Sequence, residues 1–409
     1  MPAHQYQPVQ PAQSANKSRD CAYWFVLGRE SLIAAAELHA VLNLSEYKFA
    51  PPILQAVLNK FDAKKLITEF GGTIKIAEEI GGGLSEEQMA DLIARELETV
   101  EGKINFGLSF YSQGEKSEQM SWVKKFGLNI KKKLKAEGYS VRYVENREPV
   151  LSSVTVDKNG LTERGREFLI TTGTSGARQF TVAKTLAVQP FEEFSFRDFG
   201  RPGRDDLSGM LPPKLAMMMI NLAQCPKDGV LLDPFCGSGT ILTEAMLLEY
   251  ENLIGADNSE KAISDTQKNI EWIKDKFEVG ASKVEIFQND IKNLSKKVKG
   301  GVSAIVTEPF LGNPLKGYET QSQLVVQMAE LKELYLASFK EFYKILKPGG
   351  VVVFIIPCFR YKNEWLKINC ENEIKKIGFA TEKLFENHTS LLYARPDQKI
   401  GREIWRFRR

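Results

Sequence analysis

Residues 230–240 read VLLDPFCGSGT, and this stretch decides the fold. An apolar run that ends in Asp233 predicts a buried strand, the glycines predict a tight turn, and a helix is predicted from Thr240. Glycines let backbone approach a ligand closely, and doubly wound sheets bind ligands at the carboxyl ends of their strands. The stretch therefore predicts a cofactor site over a strand-turn-helix unit, although a purely structural turn also favours glycine pairs.

Strands and helices alternate around this unit, which predicts an α/β fold whose parallel sheet is covered on both faces. The predicted strands are 230–233, 253–257, 283–288, 304–307 and 351–356, and the predicted helices are 240–250, 259–276 and 321–346. Residues 390–395 and 402–407 are predicted to pair antiparallel at the sheet edge.

Three acidic residues, Asp233, Asp257 and Asp290, end or follow predicted strands. A carboxylate after the second strand can hold ribose hydroxyls, and Asp290 could accept from an adenine amino group or cap a helix. The turn lacks the third glycine of the GxGxxG pattern, and Asp233 suits the cationic methionine end of S-adenosylmethionine. These features favour a methyl donor over a nicotinamide dinucleotide.

The fourth strand runs into Glu308, Pro309 and Phe310, a combination that indicates a nucleobase site. An exocyclic amine on a base is a poor nucleophile because its lone pair is delocalised into the ring. A carboxylate and a backbone carbonyl that accept hydrogen bonds from the amine favour the reactive geometry. Phe310 could stack on an extruded base, the general strategy of enzymes that modify bases. The alternative is a structural turn with a buried Phe310.

The amino-terminal half predicts a flexible tail at 1–20, a ferredoxin-like α+β domain at 21–100 and a second α+β module at 101–185. Within these units, strands are predicted at 23–27, 103–111, 139–144, 152–156 and 167–172, and helices at 31–42, 85–97 and 118–138. Basic residues of the second module predict an RNA-binding face, although a solvated helix face gives the same pattern. They are Lys124, Lys125, Lys131, Lys132, Lys135 and Arg142.

Bulk composition limits the classes of protein that the chain can belong to. A length of 409 residues predicts two or three domains, and a net charge of +3 neither requires nor excludes a nucleic-acid partner. No apolar run approaches the roughly 18 to 20 residues that a membrane-spanning helix needs. The five cysteines are widely spaced and show no CxxC pair, which indicates a reducing compartment. We therefore predict a cytoplasmic protein without a membrane span or a metal site.

The run DPFCGSGT at 233–240, followed by Glu244, resembles the first cofactor motif of the THUMP-containing RNA methyltransferases, and GAD at 255–257 resembles their acidic second motif. Residues 201–216 resemble the segment that precedes the first motif in the tRNA guanosine-10 N2-methyltransferase group and helps enclose the cofactor. The resemblance is strong from about 197 to 359. It implies a Rossmann-like class I methyltransferase domain at 186–409, with a mostly parallel seven-stranded sheet and an antiparallel edge hairpin.

The resemblance also implies S-adenosylmethionine as the cofactor, and a THUMP-like module at 101–185 that binds structured RNA, most simply tRNA. Whether an accessory subunit is required stays open. Glu308, Pro309 and Phe310 are predicted to orient the target base. The residues predicted to hold the cofactor are Asp233, Phe235, Gly237, Gly239, Asp257, Asn258, Asp290, Ile291, Gly209 and Met210.

The fourth motif departs from the family pattern, because this chain has EPFLG at 308–312 where the family has DPPYG. Glu308 is one methylene longer than the usual acid, and Leu311 takes the place of the aromatic. The expected function is methylation of an exocyclic base amine, guanine N2 in tRNA. A DNA amino-methyltransferase and a non-catalytic RNA-binding protein of the same fold are the alternatives. The arginine-rich end at 402–409 could contact RNA phosphate or form a solvated strand.

Overall fold

The computed structural model describes residues 20–173, 179–204 and 210–409. These residues build two sheets. An eight-stranded, mostly antiparallel sheet lies in the amino-terminal half, and a nine-stranded sheet lies in the carboxyl-terminal half.

The first sheet has the strand order β2-β3-β1-β4-β8-β7-β5-β6. Its strands are β1 (Cys21–Leu27), β2 (Tyr47–Ala50), β3 (Ile53–Leu58), β4 (Thr73–Leu84), β5 (Ile104–Tyr111), β6 (Val141–Val144), β7 (Gly165–Thr172) and β8 (Phe180–Val188). Its helices are α1 (Ser31–Leu42), α2 (Ala63–Leu66), α3 (Glu86–Glu98), α4 (Lys116–Ala136) and α5 (Ser153–Lys158). Because β4 pairs with β8, the sheet runs without a break through both predicted amino-terminal units.

One predicted strand of this half is wrong. Residues 152–156 were predicted to be extended, yet Ser153–Lys158 is the helix α5. The alternating β-branched residues Val154 and Val156 imitate a strand pattern. The hydroxyl of Ser152 accepts a hydrogen bond from the Thr155 amide at 3.1 Å, and this cap starts the helix instead.

A buried ion pair joins the two halves of the first sheet. Lys75 on β4 lies 2.5 Å from a carboxylate oxygen of Glu167 on β7, and both side chains are almost fully buried. Glu167 also accepts hydrogen bonds from Ser109 at 2.6 Å and Thr185 at 2.7 Å. The Leu151 carbonyl accepts a second bond from Lys75 at 2.7 Å. Every charged atom here therefore has a partner, which is the condition under which buried charges are tolerated.

The second sheet has the order β11-β10-β9-β12-β13-β17-β15, with β14 paired to β13 and β16 paired to β17. Its strands are β9 (Val230–Asp233), β10 (Asn252–Asp257), β11 (Lys283–Gln288), β12 (Val302–Thr307), β13 (Leu346–Tyr361), β14 (Glu364–Lys367), β15 (Ala380–Glu382), β16 (Ser390–Tyr393) and β17 (Ile400–Arg408). Its helices are α6 (Phe191–Phe199), α7 (Pro213–Ala223), α8 (Thr240–Leu247), α9 (Glu260–Lys276), α10 (Leu294–Lys297), α11 (Gln321–Ile345) and α12 (Glu371–Ile377).

The predicted α/β fold is confirmed in this half. The strands β9 to β13 run parallel, β17 runs antiparallel to β13, and β16 forms the predicted antiparallel pair with β17. The chain moves outward from β9 through β10 to β11 and then returns to place β12 on the other side of β9. This reversal creates a switch point between β9 and β12, where open α/β sheets form their ligand crevice.

The two halves share one hydrophobic core, in which α1 packs on α7. Glu37 of α1 is fully buried and accepts hydrogen bonds from Gly71, Gly72 and the Asn221 side chain of α7, each at 2.8 Å. Burial raises the pKa of Glu37 to about 7, against the lowering effect of these three donors. The contact fixes the first sheet against the second by specific hydrogen bonds as well as by apolar packing.

Loss of the Lys75–Glu167 pair is predicted to lower the stability of the protein strongly. Glu167→Ala leaves a buried ammonium group without a counter-charge, and we expect it to lower the free energy of unfolding by about 3–5 kcal/mol. The matched control is Glu163→Ala, which breaks the exposed Lys64–Glu163 pair and should cost less than about 1 kcal/mol. Urea unfolding measures both. Equal losses in the two variants would contradict the role assigned to the buried pair.

Candidate active site

The site centres on Asp233, the last residue of β9, at the switch point. Its side chain is buried, and Oδ1 accepts hydrogen bonds from the Thr307 hydroxyl at 2.6 Å and the Phe235 amide at 3.2 Å. Burial raises the pKa of Asp233 to about 7, although both donors lower it. The bond to Thr307 joins the carboxyl ends of β9 and β12, so that the predicted cofactor turn and the predicted base site are neighbours.

The glycine turn after β9 has the conformation that its sequence predicts. Gly237 has φ 52° and Gly239 has φ 82°, in the left-handed region that glycine adopts without strain. A side chain at Gly239 would collide with Thr266 at 2.8 Å, so this glycine serves packing against α9. A side chain at Gly237 would meet no atom within 4 Å, so the turn presents an open surface at this point.

Asp257 ends β10 and Asp290 follows β11, and the two carboxylates have different surroundings. The carboxylate of Asp257 accepts from the Gly237 amide at 3.0 Å and from the Ser259 amide at 2.9 Å, and it thereby ties the glycine turn to β10. Asp290 is exposed and accepts from the Lys292 amide at 2.9 Å, which is the capping role that the sequence left open. Of their neighbours in the predicted cofactor set, Asn258 is exposed and Ile291 is buried.

The segment upstream of β9 is held against the glycine turn by a residue that the sequence did not single out. The side chain of Asn269 on α9 accepts from the Gly203 amide at 2.8 Å and donates to the carbonyls of Gly203 at 2.9 Å and Ser238 at 2.7 Å. Asn269 belongs to no sequence motif, and only these three hydrogen bonds reveal its role.

Two buried arginines continue this upstream segment. Arg197 forms a two-point ion pair with Glu244 of α8, at 2.8 and 3.2 Å. Arg201 donates to the Thr240 hydroxyl, and its Nη2 atom lies 3.7 Å from the Asp198 carboxylate. Its Nε and Nη2 atoms are buried and make no hydrogen bond to the described residues. Of the predicted cofactor residues here, Met210 is half-buried and Gly209 lies outside the described residues.

The predicted base site contains an ion pair that the sequence did not reveal. Glu308, which follows β12, lies 2.5 Å from Nε of Arg402 on β17. Arg402 is 8% exposed, so it is neither a solvated nor a phosphate-facing residue of the terminal strand. The two residues are 94 positions apart, and only the pairing of β17 with β13 brings them together.

Phe310 and Pro309 complete the predicted base site. Phe310 is 53% exposed, so the alternative interpretation of a buried phenylalanine is wrong. Its backbone is fixed by a hydrogen bond of 2.8 Å from the Tyr335 hydroxyl to the Phe310 carbonyl. Pro309 is buried, and Leu311 is half-buried against the shared core. The ring available at the mouth of this site is therefore that of Phe310.

The predicted RNA-binding lysines share one face of α4. With 3.6 residues per turn they fall within an arc of roughly 120°, opposite the buried residues Val123, Ile130 and Leu134. Lys124 pairs with Glu145 at 3.1 Å. Arg142 does not join them, because it alternates with Tyr143 along β6 and only Tyr143 faces α4.

Two kinds of feature are absent from the described ranges. Within 20–173, 179–204 and 210–409, no three His, Cys, Asp or Glu residues come together in a way that could hold a metal ion. In the same part of the chain, each helix is too short or too polar to cross a lipid bilayer.

The fold and the site together define a class I methyltransferase fold. The crystal structure of TrmN from Thermus thermophilus superposes on this chain with a TM-score of 0.55 and 15% sequence identity, covering 96% of this chain and 100% of TrmN. At this identity the likeness shows the shared fold alone.

Sequence comparison narrows the class to a family. The family UPF0020, described as an RMKL-like methyltransferase domain, matches residues 201–378. A tRNA (guanine(10)-N2)-dimethyltransferase from Methanothermobacter thermautotrophicus is 33% identical over 181 residues, 44% of this chain and 48% of that relative. A relative from Methanothermococcus thermolithotrophicus, named "Probable tRNA (guanine(10)-N2)-dimethyltransferase", is 30% identical over 149 residues, 30% of this chain and 90% of that relative. The chain belongs to this methyltransferase family, and it spans about half the length of the first relative.

The pKa of Asp233 predicts a pH-dependent stability. Its folded value of about 7 lies above the ordinary value near 4, so the folded state binds the proton more tightly than the unfolded state. The stability that this proton contributes is present in full below pH 4 and is lost as the pH rises through 7. Asp233→Asn keeps an acceptor for Thr307 and Phe235 and removes the titration. We expect the fall in unfolding free energy between pH 5 and pH 8 to be smaller by about 2 kcal/mol in the variant.

Chemical denaturation at the two pH values tests this expectation. The raised pKa of Glu37 contributes equally to both proteins, so the difference isolates Asp233. Asp275→Asn, at an exposed position, is the matched control and should behave like the natural sequence. The same pH dependence in Asp233→Asn and in the natural protein would show that the buried carboxyl does not titrate in this range.

Proposed function

We propose that this protein transfers a methyl group from S-adenosylmethionine to an exocyclic amine of a base in structured RNA, specifically guanine N2 in tRNA. The observation that carries this proposal is the position of Glu308 and the exposed Phe310 at the end of β12. There the Thr307–Asp233 hydrogen bond connects them to the glycine turn of β9. This geometry supports a base-orienting role for Glu308 beside a turn that binds the cofactor.

The residues around the turn fit S-adenosylmethionine. The open surface at Gly237 leaves room for close approach, and the buried Asp233 carboxyl suits the cationic methionine end. The Nε and Nη2 atoms of Arg201 are buried beside Thr240 and make no hydrogen bond to the described residues, and Nη2 has only a longer ion pair of 3.7 Å with Asp198. This guanidinium therefore suits a carboxylate. Asp257 would hold the ribose hydroxyls. When bound, S-adenosylmethionine supplies an electrophilic methyl group.

Glu308 and Phe310 have separate roles toward the base. The carboxylate of Glu308 accepts a hydrogen bond from the exocyclic amine and directs the amine toward the methyl donor. Phe310 stacks on the extruded base. Arg402 holds the longer Glu308 side chain in one orientation, since its Nε donates to the carboxylate from a buried position. A general base is not required, because the amine can lose its proton after attack.

The choice of RNA rests on two further observations. Relatives that match the catalytic half are named as tRNA (guanine(10)-N2)-dimethyltransferases. The lysine face of α4 also supplies the cationic surface that phosphate binding requires. We expect methyl label from S-adenosylmethionine to enter unmodified total tRNA and to be absent from duplex DNA. Label in DNA alone, or none in either despite cofactor binding, would contradict the proposal.

The role of Glu308 predicts a loss of turnover with little loss of cofactor binding. Glu308→Gln weakens the acceptor that faces the amine, and we expect kcat on tRNA to fall about 100-fold. The dissociation constant for S-adenosylmethionine should change less than about two-fold. The control is Glu330→Gln, which changes an exposed acid on α11. Turnover in Glu308→Gln equal to that of the control would remove Glu308 from the site.

The role of Arg402 predicts a graded effect. Arg402→Gln removes the charge that orients Glu308, and we expect kcat to fall about ten-fold, while Arg402→Lys restores part of the loss. Cofactor affinity and melting temperature, measured in parallel, separate a misplaced carboxylate from a damaged fold. If Arg402→Gln loses cofactor affinity and turnover to the same extent, Arg402 acts through the fold and not through Glu308.

A further inference from the structure

An extension of β13 and the strands paired with it lie beside the candidate active site. The last paired residues of β12 and β13 are Thr307 and Phe354, yet β13 continues to Tyr361. This extension pairs with β14 on one side and with the start of β17 on the other. At about 3.3 Å per residue it projects roughly 20 Å past the end of β12. We call residues 355–361, 364–367 and 400–402 the wall. It borders the crevice, because Arg402 belongs to it and pairs with Glu308.

The loop at 311–320, which follows the predicted base site, is fastened to this wall. The ammonium group of Lys399 donates to the Lys316 carbonyl at 2.7 Å. The Arg360 amide in turn donates to the Lys399 carbonyl at 2.8 Å, and its guanidinium donates to the Pro396 carbonyl at 2.6 Å. Loop, wall and the turn at 394–399 therefore form one continuous surface that leads away from Glu308.

This surface combines exposed rings with exposed cations. Tyr318 in the loop is 75% exposed, the highest value among the exposed large hydrophobic residues of the described chain, and Phe310 nearby is 53% exposed. The cation of Lys316 lies 6.0 Å from the Tyr318 ring, and Arg360 lies 6.0 Å from the Trp365 ring. The exposed cations of the surface are Lys316, Arg360, Lys362, Lys367, Arg395 and Lys399, of which Lys367 pairs with Glu403, and the nearby acids are Glu319, Glu364 and Asp397.

Exposed rings interleaved with cations fit a single nucleic-acid strand. Unpaired bases stack on aromatic side chains, and lysines and arginines follow the phosphates. Protein–protein interfaces are depleted of lysine, whereas the exposed residues Lys316, Lys362 and Lys399 stand among the rings here. A duplex offers no unpaired base to Tyr318.

We infer that the wall and the loop at 311–320 bind the single-stranded RNA that flanks the target nucleotide, with Tyr318 stacking on an unpaired base. This inference rests on the proposed function, since it places the strand next to the site where Glu308 and Phe310 receive the base. It adds a second RNA contact, distinct from the lysine face of α4, and it implies that the target lies in or beside an unpaired region.

The test measures binding directly and needs no turnover. Fluorescence anisotropy of a labelled single-stranded RNA of about twelve nucleotides is followed with the full chain, without methyl donor, over a series of salt concentrations. We expect Tyr318→Ala to weaken binding at least about five-fold and Tyr318→Phe to preserve it, because the ring and not the hydroxyl stacks. Lys316→Ala combined with Arg395→Ala should reduce the slope of log affinity against log salt by about 1.4.

Matched controls separate this surface from general effects of charge and hydrophobicity. Phe199→Ala removes an exposed ring elsewhere, and Lys274→Ala removes an exposed cation on α9; neither should change the affinity. Affinity in Tyr318→Ala equal to that in Phe199→Ala, or equally tight and Tyr318-dependent binding of a blunt duplex, would overturn the inference. Tyr318-dependent binding without methyl transfer to tRNA would support this inference and contradict the proposed function, so the two can fail separately.

Discussion

The hydrogen bond between Thr307 and Asp233 is the interaction on which the rest of the site depends. It lies at the point where the strand order reverses, and it joins the end of β9 to the end of β12. Asp233 accepts a hydrogen bond from the Phe235 amide in the glycine turn, and Thr307 immediately precedes Glu308. Because the bond is buried, it fixes the distance between the carboxyl ends of β9 and β12. The bond requires a buried carboxyl group, and burial raises the pKa of Asp233 to about 7. Perturbed pKa values of this kind are typical of functional sites.

Around this centre, buried charged side chains join one secondary-structure element to another. Glu37 links α1 to α7, Arg197 links α6 to α8, and Arg402 links β17 to the end of β12. Each of these groups is nearly inaccessible to solvent and meets a partner from another element. Apolar packing alone would allow these elements to slide, whereas a hydrogen-bonded charge accepts one geometry. The amino-terminal sheet follows the same rule through Lys75 and Glu167. Of these contacts, the one between Glu37 and Asn221 holds the amino-terminal half against the carboxyl-terminal half.

Much of the fold of the catalytic half could be predicted from the sequence, because its signals are local. A short apolar strand that ends in an acid, glycines in a turn and a following helix all lie within residues 230–247, and the structure confirms them. The helix α5 could not be predicted in this way, since the β-branched pattern at 152–156 favours a strand and only the Ser152 cap decides otherwise. Likewise, β2 and β3 carry weak patterns and gain their place from pairing with β1.

The parts of the site that sequence reasoning missed depend on residues far apart in the chain. Arg402 meets Glu308 only after β17 has inserted beside β13, and Asn269 meets Gly203 and Ser238 only after α9 has packed on the turn. The altered fourth motif becomes intelligible through the first of these contacts, because a longer acid now has a fixed partner. The most direct measurement of the central claim is mass spectrometry of nucleosides from unmodified tRNA after incubation with the protein and a methyl-deuterated donor. Deuterated N2-methylguanosine is the predicted product; deuterium confined to other nucleosides, or to none, would contradict the account.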